Sequence, residues 1–128
     1  MITLADIALV VPDQDQALRF YVDVLGFTVL EDREVDGKRW VRLKGGRAGL
    51  VLRRASDDAQ RARIGNQTGG SVFLFLETDD FSDALARLRA ANVDFVGAPR
   101  DEPYGQVVVF RDPFGNKLDL IAPSKDRP

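Results

Sequence analysis

A chain of 128 residues, 45% apolar and 30% charged, has the length and composition of one ordinary globular domain, which excludes a disordered or fibrous polypeptide. A net charge of -2 and a pI near 5.1 give no basic footprint for nucleic acid, and no apolar run approaches the roughly 18–20 residues that span a bilayer. Cysteine and histidine are both absent, which removes disulfides, thiolate chemistry, the usual neutral-pH acid/base and the common ligands of transition metals.

Ile7 to Val11 (IALVV) is a short run rich in β-branched residues, stopped by Pro12-Asp13, and is expected to be a buried strand. Asp13 then has the place of a helix N-cap, with Gln16 three residues on as the partner of a capping-box-like start. Ala17, Leu18, Tyr21, Val24 and Leu25 fall on one helical stripe, and Gly26 stands where a C-terminal glycine would end it. Strands are expected over about 27–35, 38–44 and 48–54. Asp36-Gly37 marks a tight hairpin between the first two, and Gly45-Gly46 the turn between the second and third.

Residues 55–70 are polar, with one possible helical turn around Asp57–Arg63 and a glycine-rich exit. They read either as a flexible linker or as a functional loop, since long structureless connections are uncommon in compact domains. Asn66, Gln67 and Thr68 can hydrogen-bond a ligand, and Gly69-Gly70 permits close backbone approach.

The order then repeats. Val72 to Leu76 is expected to be a strand, and Asp79-Asp80 to open a helix with Phe81, Ala84, Leu85 and Leu88 on one stripe. Strands follow at about 93–98, 105–111 and 117–122, the last pair joined by the turn residues Asp112-Pro113-Phe114-Gly115-Asn116. Asp13 falls on Asp80, Ala17 on Ala84 and Leu18 on Leu85 with one constant shift of 67 residues. One helix and several strands in each half predict an α+β fold of two βαβββ modules: about 1–54 and about 71–122, joined by about 55–70 and followed by a short C-terminal tail.

Three segments carry a resemblance: IALVVPDQDQALRFYVDVLGF at 7–27, FLETDDFSDAL at 75–85 and YGQVVVFRDPFGNKLDLIAP at 104–123. They resemble the vicinal oxygen chelate superfamily, which holds glyoxalases, bleomycin-resistance proteins and extradiol dioxygenases. The resemblance covers nearly the whole chain and implies a single domain whose two modules form a curved mixed-sheet cup. In metal-using members four ligands line that cup, and the resemblance carries them to Asp6, Val51, Phe73 and Asp119. The family leads one to expect His, Glu or Gln, His and Glu. Here Phe73 and Val51 supply no donor atoms, so no resident cofactor is expected, and the carboxylates leave room only for weak Mg, Ca or Mn.

Asp119 lies between Leu118 and Leu120, so strand alternation puts it on the face opposite those leucines. An unpaired buried carboxylate is costly, and Arg42, Arg53 and Arg111 are the cations whose pattern would let them pair with it. Asp6 is open to three roles: a site carboxylate, a hydrogen-bonding group at the start of its strand, or a solvated side chain.

Three functions compete. The first is a small-molecule-binding protein that takes an apolar or aromatic ligand, with Trp40, Phe73, Phe75, Tyr104 and Phe110 as flat surfaces. Asp6, Val51, Asn66, Gln67 and Asp119 complete that site, and acidic groups there would suit a cationic ligand. The second is a metal-free or weakly metal-dependent lyase or isomerase of the glyoxalase type, with Asp119 or Glu77 as the catalytic base. Extradiol cleavage is set aside because its Fe(II) needs histidines. The third is a structural module whose cup is filled by its own side chains. The start Met1–Leu4 has no signal-like pattern, so a cytoplasmic location is expected. The expected partners are a small molecule and a second copy in a homodimer, with neither nucleic acid nor membrane.

Overall fold

In the first strand, β1 (Asp6–Val11), Leu9 and Val11 are fully buried while Asp6 and Val10 are half-buried and Ala8 is exposed. This is the two-residue alternation of a strand with one face on a core. The structure, a computed structural model, describes residues 1–125 and divides the chain into two compact units, Met1–Ile64 and a second that starts at Gly65.

In the first unit Asp13 caps α1 (Gln14–Leu18), its Oδ1 accepting from the backbone N–H of Asp15 at 2.8 Å and of Gln16 at 3.2 Å. The helix then widens into a π-helical segment, Arg19–Val24, closed by Leu25 N–H donating to the Phe20 carbonyl at 3.0 Å. The regular helical stripe expected from the sequence omitted Phe20. The wider turn carries one more residue, so Phe20 and Tyr21 are both buried, with their rings edge to face at 5.1 Å. Gly26 ends the helix at φ 84°.

β2 (Thr28–Val35), β3 (Lys38–Gly45) and β4 (Ala48–Arg54) complete a sheet of order β1-β4-β3-β2, with β1 parallel to β4 and the other pairs antiparallel. Asp36 and Gly37 both take positive φ, the backbone of a two-residue hairpin turn. The next turn lies one residue later than expected, at Gly46-Arg47. Gly45 is instead the last residue of β3, where a Cβ would stand 2.8 Å from Cζ of Phe27. α2 (Asp58–Arg61) is the helical turn expected in the connecting segment, capped by Asp57.

The second unit repeats the plan. β5 (Val72–Glu77) leads to α3 (Phe81–Ala90), whose N-cap Asp80 accepts from Asp83 N–H at 3.0 Å. The sheet runs β5-β9-β8-β6, with β6 (Asp94–Phe95), β8 (Gly105–Arg111) and β9 (Lys117–Pro123), and β5 parallel to β9. The strand expected over about 93–98 is shorter than that, because β6 ends before Gly97-Ala98-Pro99. A separate strand, β7 (Arg100–Glu102), then pairs with β8. Proline has no N–H for a ladder, so the break falls beside it. Phe81 and Leu88 of α3 are buried, as are Val108, Phe110, Leu118 and Leu120 of the sheet. The architecture is α+β, with mixed sheets and few helices, as the sequence predicts. Among the described residues no helix is long and apolar enough to cross a membrane.

Candidate functional site

Opposed residues of adjacent strands share a face. In the first unit, therefore, Ala8, Val51, Arg42 and Glu31 form one row across β1, β4, β3 and β2. Trp40 lies two residues from Arg42 on the same face, and its Nε1 donates to Oε2 of Glu31. Asp6 stands at the start of β1 opposite Gly49, where a Cβ would be 1.8 Å from Asp6 Oδ1. The glycine is thus what makes room for the carboxylate. Arg42 Nε donates to Asp6 Oδ2 at 2.8 Å, while Oδ1 is buried with no hydrogen-bond partner. Val51 is buried beside this pair.

In the second unit Leu118 and Leu120 are buried, so Asp119 occupies the other face, in a row with Phe75 of β5 and Val109 of β8. Phe75 is 69% exposed. Oδ1 of Asp119 is buried and has no hydrogen-bond partner. Burial raises the Asp119 carboxyl above the ordinary carboxylate range, and the positive charge of Arg100 only partly opposes it. The arginines considered as partners are otherwise engaged or uninvolved. Arg42 holds Asp6, Arg111 holds Asp94 at 3.0 Å, and among the described residues Asp119 makes no ion pair.

Phe73 lies at the irregularity between Val72 and Leu74 on the same strand as Phe75 and is half-buried. Tyr104 stands in the β7–β8 turn beside Gly105, which pairs with Pro123. That is four residues, or about 13 Å of strand, from Asp119. Phe110 cannot serve as a ligand surface, because it is fully buried with its ring 6.5 Å from that of Phe95.

The turn Asp112–Asn116 is a buried hydrogen-bond frame. Asp112 Oδ1 accepts from Phe114 N–H at 3.0 Å and Asn116 N–H at 2.9 Å, and its Oδ2 accepts from Asn116 Nδ2 at 2.9 Å. Asn116 Oδ1 in turn accepts from Gln67 N–H at 3.2 Å. Gly65 packs so closely that a Cβ there would lie 2.0 Å from the Phe114 carbonyl oxygen. The segment holding Asn66 and Gln67 is therefore anchored to this frame, with the Asn66 side chain exposed and its carbonyl accepting from Gly69 N–H.

Gln14 was not singled out from the sequence. It is buried, and its amide donates to the carbonyls of Leu52 at 2.9 Å and Arg39 at 3.0 Å. The signal was present, since Gln14 falls three, four and seven residues before Ala17, Leu18 and Tyr21. It is therefore a polar side chain on the apolar stripe. Glu31, the partner of Trp40, carried no comparable signal.

The donor set does not fit a transition metal. Val51 and Phe73 are hydrocarbon, one Asp6 oxygen already takes the Arg42 guanidinium, and the described residues hold no group of three or more His, Cys, Asp or Glu side chains able to bind an ion.

Two βαβββ units, each presenting a carboxylate on the sheet face opposite its buried apolar side chains, define a class of proteins with a repeated module. The chain belongs to the Glyoxalase/Bleomycin resistance protein/Dioxygenase superfamily, whose family model matches residues 3–120. It is 42% identical to an uncharacterized protein of Shewanella frigidimarina over 98% of this chain and 97% of that one. Among solved structures it is similar to UcmS2 (30% identity, TM-score 0.80, covering 94% of this chain and 98% of that one). It is also similar to TnmS3, described as an antibiotic binding protein from Streptomyces sp. CB03234 (32% identity, TM-score 0.75, covering 97% and 98%).

Proposed function

We propose that this protein binds a small planar aromatic molecule carrying a hydrogen-bond donor, and that it works without a metal. The observation that carries this reading is the Asp119 row. A buried acceptor oxygen without a partner stands beside an exposed phenylalanine ring. Leaving such an acceptor unmet is costly, so a donor supplied by a ligand recovers that cost, while Phe75 offers flat apolar contact. TnmS3, of similar structure, is described as antibiotic binding, which supports the binding of a small molecule. Within the second unit Phe73 joins Phe75 in the proposed ligand-facing set, and Asn66, Gln67 and Tyr104 belong to its margin, while Asp6 and Val51 form the corresponding row of the first unit.

The test uses 9-aminoacridine, a planar aromatic cation with intrinsic fluorescence, and its less basic analogue acridine. Saturable binding of one molecule per chain, weakened by Phe75→Ala, is expected. Equal or absent binding of both dyes to wild type and variant would overturn the reading.

The raised carboxyl of Asp119 favours one second reading, a metal-free isomerase in which Asp119 removes a proton next to a carbonyl. Deuterium exchange from solvent into dihydroxyacetone, followed by NMR and abolished by Asp119→Asn, would select it.

The assembly we propose is a homodimer. β2 is an edge strand that exposes Val29, Leu30 and Val35, and such edges favour pairing. Light scattering should give twice the chain mass of 14.2 kDa, and a monomer at micromolar concentration would contradict the dimer.

A further inference from the structure

The sheet of the first unit is split at one end. β3 starts at Lys38 and β4 runs to Arg54, yet their ladder reaches only as far as Val41 opposite Leu52. Beyond that pair the buried Gln14 amide stands between the two strands, donating to the Arg39 carbonyl on one side and the Leu52 carbonyl on the other. Arg53 and Arg54 continue to pair only with β1. The separation opens a cleft of about 900 Å³ lined by Lys38 and Trp40 on one wall and Arg53 to Ser56 on the other.

The charges lining this cleft are not balanced. Arg39 is spent on Asp15 at 2.7 Å and Asp32 at 2.9 Å, Arg61 on Asp58 at 2.6 Å, and Asp13 on capping α1. Lys38, Arg53 and Arg54 keep no ion-pair partner among the described residues, against Glu34 as the uncommitted acid of the lining. The guanidinium of Arg53 presents forked donors that match a carboxylate. Beside it the Trp40 ring, fixed through its bond to Glu31, offers a flat apolar face.

We propose that this cleft is a second binding site, separate from the Asp119 row, for a small planar aromatic anion. Arg53, on the same strand face as Trp40, takes its carboxylate, Trp40 takes its ring, and Arg54 adds positive charge at the rim. The cleft lining includes neither Asp119 nor Phe75 and selects a negative charge rather than a hydrogen-bond donor, so either site can fail without the other.

Trp40 is the single tryptophan of the chain, so its emission reports the cleft directly. Benzoate is expected to change that emission saturably, and the neutral isostere benzamide to bind about tenfold more weakly or worse, as loss of a charge-assisted pair implies. Rising salt should weaken benzoate binding, because the arginines are exposed. The double variant Arg53→Gln/Arg54→Gln should lose about tenfold in benzoate affinity while its melting temperature stays near wild type. Should that variant fold poorly, the salt series and the benzamide comparison on wild type still decide. Benzamide binding as tightly as benzoate, affinity indifferent to salt, or no saturable change in emission would each overturn the proposal. Inorganic phosphate that competes as well as benzoate would overturn the role given to the ring.

Discussion

The sheet carboxylates Asp6 and Asp32 of the first unit are treated differently from Asp112 and Asp119 of the second. In the first unit these two are answered by arginine. Asp6 takes Arg42, and Asp32 takes the Nε and Nη2 of Arg39, each at 2.9 Å, which holds its carboxyl below the ordinary range. In the second, Asp112 is answered by backbone and amide groups, and Asp119 by no direct partner, so that burial drives its carboxyl upward. A folded chain tolerates a poorly solvated, unpaired acid when something outside the fold completes it. One oxygen of Asp6 is also buried without a partner, but of the two only Asp119 lacks an ion pair as well among the described residues, which is why the proposed function rests on it.

The largest effect should come from the frame of the second unit. Asp112→Ala removes the acceptor of three hydrogen bonds in a nearly buried turn. It is expected to cost about 3 kcal/mol or more in urea unfolding, since the freed donors stay buried. A loss under about 1 kcal/mol would show that the turn is not held from within.

Next in size is the seat of Asp6. Gly49→Ala puts a methyl group 1.8 Å from Asp6 Oδ1 and 2.9 Å from the Ala5 carbonyl oxygen. Displacement of Asp6 from Arg42 should destabilise the protein by about 1–3 kcal/mol, and combining the change with Asp6→Ala should recover part of that loss. Full additivity of the two substitutions would mean that Asp6 is not what the methyl group meets.

The smallest effect is the most diagnostic, because its sign differs between the units. Asp32 has a lowered carboxyl, so its contribution is present above its ordinary value of 3.8 and lost as pH falls through the lower folded value. Asp32→Asn should therefore destabilise at pH 7, by less than about 1 kcal/mol for so exposed a pair, and do little in strong acid. Asp119 has a raised carboxyl, so stability is full below 3.8 and is lost as pH rises through the higher folded value. Asp119→Asn should leave the melting temperature unchanged or higher at pH 7, with any gain fading in acid. Melting curves of both variants across that range check the two signs together.

Much of this was legible in the residues. The repeat of Asp13 and Asp80 as N-caps, the Asp36-Gly37 hairpin and the alternation around Asp119 are local patterns, and local physics decided them. The π-helical turn was not legible, because its wider period places Phe20 on a stripe that regular spacing leaves out. The interrupted strand around Pro99 was readable in principle, since proline marks a break, but the pairing of residues 100–102 depends on a distant strand. The site was readable as a set of positions and not as a set of partners. That Asp6 has Arg42 while Asp119 has no arginine follows from strand register and from a glycine at position 49, and neither shows in the charges themselves.

The central claim is that Asp119 serves a ligand rather than the fold, and titration of 9-aminoacridine into wild type and Asp119→Asn, with melting temperatures measured on the same samples, tests it most directly. Asparagine keeps the shape and removes the charge. The account predicts about tenfold weaker binding or worse in a variant that melts no lower than wild type. A variant that melts several degrees lower yet binds the dye as wild type does would contradict it.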